Sequence, residues 1–163
     1  MTITEWLLLE LENETATTRK TLERVPQQPD FSPHPRSMPL GKLAALVAQL
    51  PEFGSILLMG AQLDFSSGNF KPLTFESAEQ LVEAFDAGST ELRRKLAATA
   101  EEAWNENWKL LYQGHPLFDG TRFLAYREMF LNHLVHHRAQ LSVYLRLNDV
   151  PVPSIYGPSA DEK

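Results

Sequence analysis

The chain contains no cysteine. That excludes disulfides, thiolate zinc sites and a cysteine nucleophile supplied by the protein itself. Positive charge is also scarce. With 15 Lys and Arg against 21 Asp and Glu, the formal charge is 15 − 21 = −6, which argues against a nucleic-acid surface. The glycine loops of nucleotide sites and the GxSxG elbow of serine hydrolases are missing as well. No basic segment precedes the apolar run Trp6-Leu7-Leu8-Leu9, which Glu5, Glu10 and Glu12 surround, so no secretory signal is visible. From Lys42 to Asp64 only Glu52 is charged between the two ends, yet Pro51 stands at the centre. A buried helix, bent or broken near Pro51, is expected there instead of a membrane span. The reading is a soluble cytoplasmic protein without membrane or nucleic-acid partners.

What remains is ordinary for one globular domain: 163 residues, 43% hydrophobic and 22% charged. Four helical segments can be traced. The first spans Thr4 to Val25, with Ile3, Trp6, Leu7, Leu11, Thr18, Leu22 and Val25 on one stripe. Prolines 26, 29, 33, 35 and 39 make the following connection extended. The second segment runs from Pro39 to Met59, and a polar loop from Asp64 to Thr74 follows. The third opens at Ser77, where Ser77 and Gln80 form a capping-box pattern. It repeats Leu81, Phe85, Gly88, Leu92, Leu96 and Thr99, and a glycine on that face predicts a close helix–helix approach.

Trp104 to Gly120 has some strand-like composition but only a weak turn signal at Gln113-Gly114-His115-Pro116, and reads as an irregular connector. Glu101, Glu102 and Glu106 form an acidic cluster expected in solvent. The fourth helix, Thr121 to Leu147, ends before Pro151 and Pro153. The fold class expected is all-α, a four-helix bundle in a single domain, 1–163, whose residues 150–163 form an extended tail. A sheet of three or more strands is excluded by that reading.

The fourth helix carries His133, His136 and His137. At about 100° per residue, with His137 at zero, Phe130 lies near +20°, Tyr126 and Tyr144 near −20°, Leu141 near +40° and His133 near −40°. His133 and His137 thus fall on the apolar stripe, and two imidazoles at i and i+4 suit one divalent metal. The spacing is equally that of two core histidines, and a good site needs a third ligand. His34 and His115, each beside prolines, are poor candidates for it.

The run from Asn132 to Arg146, NHLVHHRAQLSVYLR, resembles the last core helix of DinB-like (DinB/YfiT) proteins. The tail from Val150 to Glu162, VPVPSIYGPSADE, resembles the ending of one branch of that family, and Ser37 to Ala44 resembles the start of its second helix. The resemblance implies a four-helix bundle, commonly a homodimer, with nickel, zinc or another divalent metal held by three histidines. Two of them match His133 and His137. The third belongs in a context like Leu-Ala-x-His-Val-Ala-x-Leu-Pro, where this chain reads Leu43-Ala44-Ala45-Leu46-Val47-Ala48-Gln49-Leu50-Pro51. Leu46 stands where the imidazole should be, with Gln49 or a carboxylate as an outside replacement.

Two functions follow. One is a metal-dependent enzyme with a weakened site, a hydrolase or a transferase using a small-molecule thiol. The other is a metal-free binding or stress-response protein. Arg138 and Gln140, beside the histidines, favour the first unless interhelical hydrogen bonds explain them. The apolar surplus from Phe53 to Met59 is the sequence basis for a homodimer.

Overall fold

The computed structural model describes residues 1–68 and 70–163; Asn69, in the expected polar loop, lies outside the described residues. Three long helices come first: α1 (Ile3–Leu22), α2 (Leu40–Leu57) and α3 (Ala78–Ala97). The fourth is composite, with α4 (Arg122–Ala125), a π-helical segment (Tyr126–Asn132) and α5 (His133–Leu147) running on without a break. Helical residues make up 57% of the structure.

The expectation of an all-α fold needs correction. A three-stranded sheet, β1 (Gln62–Asp64), β2 (Asn107–Tyr112) and β3 (His115–Thr121), is attached to the bundle. β1 pairs parallel to β2, and β2 pairs antiparallel to β3 from Asn107 opposite Thr121 to Tyr112 opposite His115. The residues expected to be an irregular connector form this hairpin. Gln113 and Gly114 both take positive φ, 50° and 77°, the two-residue turn whose twist matches paired strands. Alternating burial of Trp108 and Leu110 fixes the register by keeping both in the core.

Local sequence explains the helix ends. Thr2 and Glu5 close a reciprocal capping box on α1. Ser77 caps α3 by accepting from Gln80 N at 3.2 Å, but the Gln80 side chain donates to Thr74 O, so only half of the expected box forms. On α1 the buried stripe is Leu7, Leu11, Glu14, Thr18, Thr21 and Leu22; Trp6, expected inside, is 61% exposed. The α3 stripe is buried at Leu81, Phe85, Leu92 and Leu96 as its spacing predicted.

α2 is long and apolar enough to cross a membrane, but 72% of it is buried inside the protein. It is not broken at Pro51, which lies within the helix. The lost N–H bond costs stability, and Phe53, Gly54, Ser55 and Leu57 beyond it are all buried and hold the last turns in place. That burial uses the segment assigned to a dimer face, of which only Met59 is well exposed, so the sequence basis for a dimer there falls away.

α2 and α3 make the most extensive helix pair, and Gly88 marks their close approach. A Cβ at that position would lie 3.2 Å from Glu52 N and 3.4 Å from Pro51 Cβ. Gly88→Val should therefore lower stability by about 1–3 kcal/mol through overpacking. Urea denaturation reads this directly, and an unchanged or raised midpoint would show that the helices separate freely.

Arg122 joins the sheet to the bundle. Only 5% exposed, it donates to Leu57 O at 2.7 Å, to Ala103 O at 3.3 Å and to Glu106 at 3.0 Å. It thereby satisfies a carbonyl at the end of α2. Two of the acidic cluster are engaged while exposed: Glu106 as this partner, and Glu101 by accepting from Ile3 N.

Candidate functional site

The π-helical segment decides where the histidines point. Its wider turns carry an extra residue, so residues before Asn132 and after His133 do not share one helical wheel. Within α5 the buried residues are Leu134, Arg138, Leu141, Tyr144 and Leu145. With His137 again at zero, their stripe centres at about +50°, between Leu134 and Leu141. His133 and His137 stand on its rim, each half-buried, and His136 is exposed. The expected stripe centred on His137 came from aligning Tyr126 and Phe130 across the π turn.

His133 and His137 are nonetheless side by side, their ring centroids 4.6 Å apart and tilted by 48°. His133 donates from Nδ1 to Met129 O at 3.2 Å, and Nδ1 of His137 bonds Gln140 Oε1 at 2.7 Å. Both acceptors are oxygens, so Nε2 retains its lone pair in each ring. Burial lowers both pKa values below the usual 6.5, only partly offset by those hydrogen bonds. The neutral rings belong to the folded state. Stability from this source is complete above pH 6.5 and is lost as pH falls through the lower folded values. An NMR titration should place both midpoints below 6.5; a midpoint above it for either ring would contradict the burial.

Leu46 does lie across from His133. Leu46 and His133 line one cavity of about 110 Å3, completed by Gln49, Leu50, Phe53, Phe65, Phe70, Leu110 and Met129. Its wall is almost entirely carbon. Phe53, Phe65 and Phe70 form an aromatic trio with centroids 5.8–6.1 Å apart. Gln49 is committed elsewhere: its Nε2 donates to Lys71 O at 2.7 Å and to Glu52 Oε2 at 2.9 Å, and its Oε1 accepts from Leu73 N at 2.8 Å. It ties down the loop that carries Phe70, and turning toward a metal would break these bonds.

The nitrogens brought together here are those of two imidazoles. Among the described residues, no three His, Cys, Asp or Glu side chains are grouped to hold a metal. A three-histidine centre does not fit this chain, because its third position is filled by a leucine packed into an apolar wall. His34 and His115 are exposed on the proline-rich connector and on β3.

Arg138, adjacent to His137, has a different task. It is 2% exposed and its Nη1 donates to Glu14 Oε2 at 2.6 Å and to Thr17 and Thr18 hydroxyls at 2.7 and 3.1 Å. Tyr156 donates to Glu14 Oε1 at 2.8 Å and stacks on the guanidinium, 5.2 Å from ring centroid to Cζ. Ion pairs Arg24–Glu162 and Arg146–Asp161 fasten the rest of the tail. The interhelical explanation of Arg138 thus holds, whereas Gln140 bonds within its own helix. Periodicity gave no sign of Glu14, since an acidic residue on an apolar stripe looks like an interruption until its partner is seen.

No protein-family model matches the sequence, and no curated protein matches it. Solved structures do. A DinB-like protein from Bacillus cereus superposes with a TM-score of 0.71 at 20% identity, covering 93% of this chain and 97% of that one. A DinB-like protein from Bacillus subtilis gives 0.70 at 16% identity, covering 93% and 99%. These two superpositions, each covering nearly the whole of both chains, therefore place this chain in the DinB-like fold.

Proposed function

We propose that the protein is a DinB-like bundle that binds a small apolar molecule in the cavity between α2 and the fourth helix, without metal-dependent catalysis. The observation that carries this reading is Leu46: it replaces a donor atom by carbon and completes a carbon-lined space beside His133. A carbon-lined space of this size suits an apolar guest, as an engineered apolar cavity of about 150 Å3 takes benzene. Benzene near saturation should raise Tm by mass action, and Leu110→Phe, which fills the cavity, should remove the rise. No rise in the native protein would reject the reading.

A second reading is supported by the free Nε2 atoms of His133 and His137. A nickel or zinc ion on this pair, with a small-molecule thiol completing the coordination, is the arrangement that transferase chemistry would use. Two protein ligands make it the weaker reading. A cytoplasmic homodimer is part of either proposal, its face lying elsewhere than Phe53 to Met59.

A further inference from the structure

The cavity is not isolated. Leu46, Gln49 and Phe70 also line a groove of about 610 Å3 on the other side, bounded by the connector before α2 and the loop before α3. These three side chains are shared by both, so the carbon-lined cavity and the larger groove adjoin one another. The groove carries two charged residues, Lys42 and Asp30. Lys42 is exposed and joins no ion pair among the described residues. It precedes Leu46 by four residues, which places the two on one face of α2, about 6 Å apart along the axis. Its aliphatic stem can lie along the groove with the ammonium in water. Asp30 belongs to the connector, next to Pro29, which packs against Gly41 in the first turn of α2.

From this juxtaposition we infer that the ligand is an amphipathic monocarboxylate of medium length. Its apolar end lies in the cavity, past Leu46 and Phe70, and its carboxylate lies on Lys42 Nζ. At ~30 Å3 for a group the size of a water, the cavity holds roughly four carbons, and the remainder of the chain spans the groove. Met129 gives the cavity wall some latitude, being unbranched and adaptable. The inference rests on the proposed apolar-ligand function and adds the head group to it.

Calorimetric titration with octanoate, octanol, octylamine and benzene separates the two. Octanoate should bind about threefold more tightly than octanol, the scale of one exposed ion pair. The preference should shrink with added salt. Lys42→Gln, an exposed substitution without consequence for folding, should bring the acid-to-alcohol ratio to about one. Equal binding of acid and alcohol by the native protein would overturn the carboxylate assignment while leaving the cavity reading intact. Preference for octylamine would overturn it too, giving the head group to Asp30. An unchanged ratio in Lys42→Gln would also overturn it. Failure of benzene and all three chains to bind would reject the cavity reading, and the inference with it.

Discussion

Glu14→Ala should cost about 3–5 kcal/mol, the largest single loss expected in this protein. Glu14 is 7% exposed and faces Arg138, which is 2% exposed. Removing the carboxylate leaves a buried guanidinium without its counter-charge, surrounded by hydroxyls that only partly compensate it. Tyr156 loses its acceptor in the same step, so the tail should loosen together with the helix pair. Thermal melts and denaturant titration of the variant measure the first effect, and amide hydrogen exchange over residues 150–163 measures the second. Replacing both partners, Glu14→Leu with Arg138→Met, should recover much of the stability, because a well-packed apolar pair avoids the desolvation cost. A single-variant loss below about 1 kcal/mol would mean that water reaches Arg138. The pair would then be a surface ion pair in its energetics.

Leu46→His should raise nickel or zinc affinity at least about tenfold, or ~1.4 kcal/mol. The reason is geometric: Leu46 and His133 share one cavity wall, and the imidazoles of His133 and His137 are adjacent with lone pairs at Nε2. A third imidazole would convert a pair of ligands into a three-histidine set with open positions. Without metal the variant should melt lower, since a polar ring replaces apolar surface in a carbon-lined wall at a cost of about 1–3 kcal/mol. Added metal should recover that loss by mass action. The same substitution should abolish benzene binding, which connects the metal prediction to the proposed apolar site. Calorimetric titration of both proteins checks the affinity, and melts with and without metal check the linkage. Equal metal affinity in the two proteins would show that position 46 does not reach the histidine pair.

The sequence by itself determined the helices, the tail and a few residues of the candidate site. Spacing at three and four placed α1, α2, α3 and the composite helix, and Gly88 announced the α2–α3 approach, because these signals are local and repeat within a few residues. His133 and His137 follow from HxxxH spacing, and Leu46 from the resemblance to DinB-like proteins. Tertiary structure decided what those residues do. The sheet depends on β1 and β2 pairing across more than forty residues, a contact that composition does not encode. The direction of the histidines depends on a π-helical turn, which a uniform 100° wheel cannot represent. Trp6 is outside, at 61% exposed, and Glu14 inside, because burial follows from what packs opposite a side chain: Glu14 has Arg138 facing it. For the same reason Leu46 became the wall of a cavity and Gln49 the tie that holds Phe70 in place, roles assigned by neighbours distant in the chain.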